Sequence, residues 1–506
     1  MSTANLLWAG ARRLLHHGRQ LLVVLACSLV ALVLGFTIYA VSMLPDLQPW
    51  HVQKVDDEFS AIMDRGLDFP GYLDLEARLF EEARKVSADW SGQGEAFTYS
   101  RFNAQGSPQL LAAGAPFNRT FRLTPPAVAG HALLMHGLTD SPYSMKALAE
   151  SLYARGFEVT VLRLPGMGTL PSMMTAMRYR DWVAAMRLAV ADIAAHHEAG
   201  QRFYIGGYST GATLALTYAL EALADREELQ PDRILLVSPA IEVTPVAVLA
   251  NVIDIIAVVP LPLLQKARWQ SVQPEFDPYK FNSFPVNASR QVKRATRVLQ
   301  HELEEAHGDG RLARLPPVVT WQSAVDATVG ATGTVDLLYR QLPQLPASHH
   351  RLVLFDVNRF RGFSSLQRPG ARQVIERAIS AHSGYTLEVV SNVSHDSRDV
   401  ALHRYAPGST SALVLPLGLT WPEGIVSLGH VALPFPPDDP MYGFLPGSGH
   451  DGYPSIGSWL LRGENGATTI ALGAFTRLRS NPFWSLIDRQ VGELVAEDLG
   501  RPLPQS

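Results

Sequence analysis

Cysteine is almost missing from this chain: Cys27 is the only one in 506 residues, which excludes a disulfide framework and any thiolate-held metal cluster. No HExxH and no pair of histidines at helical ligand spacing occurs, so no metal is expected, and no cofactor is called for. Long runs of one charge are missing as well. With a net charge of −4, nothing suggests a nucleic-acid surface. Internal repeats and low-complexity tracts are absent, which excludes solenoids and fibrous arrays. What remains is a globular composition, 47% apolar and 18% charged, on a chain too long for one ordinary domain. A core with insertions or an appended segment is expected; oligomeric state is left open.

One apolar run is conspicuous. Leu21 to Leu44, "LLVVLACSLVALVLGFTIYAVSML", carries no charge. At about 1.5 Å per residue its length of about 24 residues would span a hydrocarbon core of about 30 Å. A cleaved leader has a shorter apolar region, so a retained transmembrane anchor is expected. Cys27 follows "VLA", a faint likeness to a lipoprotein cleavage box, but the apolar run continues past it, and the thiol reads as packed among lipids or helices. Arg12, Arg13 and Arg19 precede the run, while Asp46, Asp56, Asp57 and Glu58 follow it with only Lys54 between. This bias predicts a single-pass protein with a cytoplasmic N-terminus (1–20). Everything after the span (21–44) then lies on the non-cytoplasmic, periplasmic side of an inner membrane.

Residues 45–128 read as a juxtamembrane lead-in, with an amphipathic helix at "LDLEARLFEEARKVSADW" and a strand at "EAFTYSRFN". Short apolar runs then alternate with helical segments through "HALLMHG", "FEVTVLRLPG", "RFYIGGYS" and "RILLVSPA". That rhythm predicts an α/β fold: a mostly parallel sheet with helices on both faces. The first part of this core runs over 129–242. Residues 243–314 break the rhythm and read as a helical cap insert. Its apolar "VAVLANVIDIIAVVPLPLL" carries Asp254 and is too short for a second span; it covers either an acyl-chain pocket or the core. The second part, 315–506, resumes at "PPVVTWQSAVD" and "RLVLFDVN", passes a loop-rich insertion, and closes with the helix "NPFWSLIDRQVGELVAEDL".

The chemistry is concentrated at "GYSTG", Gly207 to Gly211. A strand precedes it and a small-residue helix follows, the setting in which G-x-S-x-G exposes a serine on a sharp turn at a helix N-terminus. Ser209 is the candidate nucleophile. "LLMHGLTDSPYSM" supplies the matching loop: Gly137 lets the chain turn so that the amides of Leu138 and Thr210 face one point, an oxyanion site. His136 reads as a support of that loop. "LRLPGMGTLP" adds a second glycine-rich loop at the same sheet edge.

These motifs together resemble the α/β-hydrolase family, over about 129–345 and the last helix, nearest to membrane-associated esterases and monoacylglycerol-lipase-like hydrolases. The resemblance implies hydrolysis of carboxylic esters, of lipid-like or short acyl chains, through a Ser-His-Asp triad and an acyl-enzyme. The acid is expected at a later strand end, where Asp326 stands; Asp356 and Asp336 read as structural or solvated carboxylates. In such proteins the histidine follows the last core strand closely, yet none does so after "RLVLFDVN". His430, in "EGIVSLGHVALPF" after an apolar run read as a strand, is chosen, with His395 and His450 as alternatives. An acyltransferase or peptidase would use the same triad, and a catalytically silent binding module would need none of it.

Overall fold

The computed structural model describes residues 3–64, 66–88, 90, 100–102, 117–225, 228–242, 265–344, 349–362, 369–381, 384–445, 449–450, 453–458 and 477–502. Within these, the side chains of 3–15, 33, 34, 37, 40, 449–450 and 453–454 lie outside the description. So do the apolar stretch of the insert, 245–264, and most of the strand expected at 95–103, whose described residues, 100–102, run into a turn instead.

A ten-stranded sheet organises the chain. Its strands are β1 (Phe121–Leu123), β2 (Gly130–Met135), β3 (Phe157–Leu162), β4 (Arg202–Tyr208), β5 (Arg233–Val237), β6 (Val318–Ser323), β7 (Arg351–Phe355), β8 (Thr386–Asn392), β9 (Asp399–Tyr405) and β10 (Ala412–Thr420). They lie in the order β1-β3-β2-β4-β5-β6-β7-β8-β9-β10. From β3 to β8 every neighbouring pair is parallel, whereas β1, β9 and β10 pair antiparallel at the two edges. This is the α/β-hydrolase arrangement, extended at one edge by a three-strand meander from β8 to β10.

The central strands are buried along their whole length, so alternate residues serve two cores. Leu133, Phe203, Ile205, Ile234, Leu236, Leu352 and Leu354 point to one face. There they meet helices α2 (Phe69–Ala88), α4 (Tyr179–His196), α5 (Thr210–Ala222) and α6 (Val286–Gly308). Leu134, Tyr204, Leu235, Val237, Trp321, Val353 and Phe355 point to the other, against α3 (Lys146–Tyr153) and α8 (Trp484–Asp498). Helix α7 (Gly370–Ala381) covers the β8 end of the first face. Helix α5 is buried on nearly every side because α6 lies over it, away from the sheet. Its alanines at 212, 215 and 219 permit that close double packing.

The lead-in is part of the same unit. Phe59, Phe69, Tyr72 and Leu75 share a core with Leu133, Leu162 and Trp182. Arg163, directly after β3, is fully buried, a position tolerable only for a paired charge. Its Nε donates to Glu76 at 2.9 Å and its Nη2 to Glu58 at 2.8 Å. Glu58 also accepts the Gly166 amide at 2.8 Å, so lead-in carboxylates hold the "LPGMG" loop in place.

Helix α1 (Thr3–Ser42) has no buried face over its described apolar stretch. Leu21, Leu22, Val23, Val24 and Leu25 are each more than half exposed, and among the described side chains the first buried one is Val41. Among the described residues no helix is long and apolar enough to cross a membrane.

Candidate active site

Ser209 stands between β4 and α5 with φ 54° and ψ −114°, a conformation that non-glycine residues adopt only when the surroundings impose it. Here they do. The Ser209 amide donates to Val237 O at 2.9 Å, and its carbonyl accepts from Thr213 N at 3.1 Å and Ala240 N at 3.3 Å. The flanking glycines have a steric cause. A Cβ on Gly207 would stand 2.5 Å from the Gly211 carbonyl carbon and 2.6 Å from Met135 O, and one on Gly211 would collide with the Met135 carbonyl. The strand and helix therefore meet closely enough to lift the serine above the sheet edge.

The loop after β2 faces the same point. A Cβ on Gly137 would meet Tyr208 Cδ1 at 2.9 Å and Asp140 Oδ2 at 2.7 Å, so only glycine fits there. Thr139 follows at φ 65°. Among the described residues the Leu138 and Thr210 amides have no hydrogen-bond partner, and both residues line the cavity that holds Ser209. Two unpaired N–H groups beside a serine form a site for negative charge, reinforced by the α5 N-terminus. His136 is buried beneath this loop. Its Nε2 accepts the Leu164 amide at 2.9 Å, which leaves the proton on Nδ1 to donate to Gly137 O at 2.8 Å. Burial holds its pKa down to about 3, so it braces both loops as a neutral ring.

Asp326 follows β6, and His430 reaches it across 104 residues of chain: Nδ1 lies 2.8 Å from Asp326 Oδ2. Asp326 Oδ1 accepts the amides of Thr328 at 2.9 Å and Val329 at 3.0 Å. Burial alone would raise its pKa, but the His430 imidazole and these amides outweigh it and the carboxyl sits below its usual range. An ionised Asp326 fixes the proton on Nδ1, which leaves Nε2 as the base. The Tyr208 ring packs against the imidazole with centroids 4.9 Å apart.

The distance in sequence has a structural explanation. The sheet does not end at "RLVLFDVN", because β8, β9 and β10 come after it and carry the chain to the far edge. The segment 423–429, read from the sequence as a strand, is instead an irregular return path, and His430 opens a short 3-10 turn. That path is pinned to the strand ends it crosses. Asn358, after β7, donates its amide to Val426 O at 2.8 Å and Nδ2 to Ile425 O at 2.9 Å. Ser323, ending β6, donates Oγ to Leu428 O at 2.6 Å.

The other candidates stand elsewhere. His395 is exposed in the β8–β9 turn, its Nδ1 3.0 Å from Arg359 O. The His450 side chain lies outside the described residues. Asp356 pairs with Arg359 and accepts from Ser391 Oγ, and Asp336 pairs with Arg340 and Arg377. Among the described residues no group of ligands suits a metal ion.

Leu138, Ser209, Thr210 and His430 open on one cavity of about 670 Å³. The described part of the insert builds its opposite wall with Gln270, Lys280, Phe281, Asn282 and Phe284. Sequence reasoning missed its charged lining: Asp140, Asp277, Lys280, Arg477 and Arg479. Asp140 lies within "HGLTDSP", so it was within reach; the others come from segments without a motif. Burial pushes the Asp140 carboxyl up, opposed by Lys280 Nζ at 3.2 Å.

Residues 126–328 match the Hydrolase_4 family, described as "Serine aminopeptidase, S33". The match takes in Leu138, Ser209 and Asp326 and stops short of His430. A thermostable monoacylglycerol lipase of Bacillus sp. (strain H-257) is 36% identical over 87 residues, 17% of this chain and 34% of that lipase, so only about a third of the relative's length is spanned. Among solved structures, a metagenome-derived lipolytic enzyme is similar at 20% identity and a TM-score of 0.36, over 48% of this chain and 89% of its own. A monoacylglycerol lipase of Paleococcus ferrophilus is similar at 16% identity and a TM-score of 0.35, over 51% and 98%. TM-scores of this size carry no argument about chemistry, which rests on the chain's own atoms.

Proposed function

We propose that this chain is a serine hydrolase of carboxylic esters, held to a membrane by α1, with Ser209 as nucleophile, His430 as base, Asp326 as its partner, and the Leu138 and Thr210 amides as oxyanion donors. The observation that carries the reading is the 2.8 Å His430–Asp326 bond opening on the same cavity as the strained Ser209. His430 Nε2 takes the Ser209 proton as Oγ attacks the acyl carbon, and the two amides receive the developing oxyanion. The imidazolium then protonates the leaving alcohol. Water, activated by the same ring, releases the acid and restores Ser209. Asp326 stabilises the imidazolium without taking its proton. The short likeness to a monoacylglycerol lipase supports lipid-like acyl esters as the substrate class. A fluorophosphonate probe is expected to leave one adduct, on the peptide that contains Ser209; an unlabelled protein, or an adduct elsewhere, would overturn the assignment.

The membrane reading rests on α1. Each fully buried Leu or Val is worth about 1.5–3 kcal/mol over exposure to water, so a helix exposing this many on every side belongs in an apolar phase. Its end is tied to the catalytic unit, because Lys266 Nζ reaches Asp46 Oδ1 at 2.7 Å and Leu44 O at 3.2 Å. Arg12, Arg13 and Arg19 set the cytoplasmic side, so the catalytic unit lies on the other, the periplasmic side in an inner membrane. A topology reporter joined after residue 60 is expected to be active only on the non-cytoplasmic side. Cytoplasmic activity would reverse the orientation.

A further inference from the structure

The charges around the cavity do not cancel. Lys280 Nζ lies 3.2 Å from Asp140 Oδ1, and Arg479 Nη1 lies 3.6 Å from Asp277 Oδ2, so each of these cations has its own carboxylate. Arg477 has none among the described residues: its one polar partner is the Thr328 hydroxyl, which accepts from Nη2 at 3.1 Å. Among the described residues the cavity therefore presents one guanidinium without a carboxylate, on an exposed side chain that the Thr328 hydroxyl orients.

Its position says which half of a substrate it meets. Thr328 donates its amide to Asp326 Oδ1 at 2.9 Å, and Asp326 Oδ2 holds His430. Arg477 thus stands on the histidine side of the site. The leaving alcohol must pass that side, because His430 supplies its proton when the acyl C–O bond breaks and the Ser209 ester forms. A guanidinium there recognises an oxyanion, since its planar donors match carboxylate and phosphate oxygens. We infer that Arg477 selects acyl esters whose alcohol half carries an anionic carboxylate or phosphate; this rests on the hydrolase reading above.

The test uses two matched substrate pairs on the full chain: 4-(butanoyloxy)benzoate against its methyl ester, and 1-butanoylglycerol 3-phosphate against 1-butanoylglycerol. The readout is the anionic-to-neutral ratio of kcat/KM. In Arg477→Gln this ratio is expected to fall about tenfold, the worth of one partly exposed charge-assisted contact, mainly through KM. Arg477→Lys should recover part of it, and added salt should lower the wild-type ratio, as for any exposed charge contact. A fall confined to the first pair assigns a carboxylate, one confined to the second a phosphate, and a fall in both an oxyanion of either kind. An equal ratio in wild type and Arg477→Gln, with Ser209 still labelled by a fluorophosphonate, overturns this inference alone. Absent labelling and absent turnover of all four esters would overturn the hydrolase reading and this inference with it.

Discussion

Ser209→Ala is expected to lower kcat for a short-chain ester by about 10⁶-fold, the order seen when the nucleophile of a triad is removed. Folding should be nearly untouched. The backbone of Ser209 makes four bonds that alanine keeps, to Val237 O, Thr213 N, Thr213 Oγ1 and Ala240 N, and among the described residues its side chain has no hydrogen-bond partner whose loss would matter. The strain at φ 54° is borne equally by both residues, since each has a Cβ. The melting temperature should therefore stay within a few degrees of the wild type. A slow residual rate is expected, because the Leu138 and Thr210 amides and the cavity remain; triad variants keep roughly 10³–10⁴-fold catalysis over water. Wild-type turnover in the alanine variant would sink the assignment. A large loss with a collapsed melting temperature would mean that the serine supports the fold instead.

How far the chain could be read without its structure follows from how local each cause is. The β4–Ser209–α5 elbow was legible because its causes lie within five residues: two glycines that admit the Met135 carbonyl, and one residue forced to positive φ. The parallel sheet was legible too, since strands such as β2 and β5, buried on both faces, are written as unbroken apolar runs. Asp326 came from the same logic, as a carboxylate at a strand end. The path to His430 was not legible. It depends on β8, β9 and β10 being added beyond β7, and on Asn358 and Ser323 pinning a loop from a distant part of the chain. No periodicity records such tertiary bonds, and residues 423–429 read as a strand on local pattern while the fold uses them as an irregular return. The lead-in shows the same limit: the amphipathic pattern of 73–90 gave the body of α2, but neither its start at Phe69 nor that Glu58 and Glu76 would neutralise Arg163 beside the "LPGMG" loop.

His430→Ala carries the second large expectation, a loss in kcat of about 10⁵–10⁶-fold, because Ser209 without a base is almost entirely protonated and a poor nucleophile. His395→Ala should stay within a few-fold of wild type. That ring is exposed, and its Nδ1 faces only the Arg359 carbonyl, in a turn on the far side of β7 from Asp326. The pair of variants separates the two histidines on one assay. Loss of His430 also leaves Asp326 buried with two amide partners and no imidazole, so the variant should melt lower than the wild type by more than Ser209→Ala does. Rates must therefore be compared below both melting transitions. The double variant Ser209→Ala/His430→Ala provides the sharper check. If the two side chains act as one unit, removing the second costs almost nothing beyond the first, so the double variant should be about as slow as either single one. Losses that multiply would mean that the two act separately, and normal turnover in His430→Ala beside loss in His395→Ala would move the base to the β8–β9 turn.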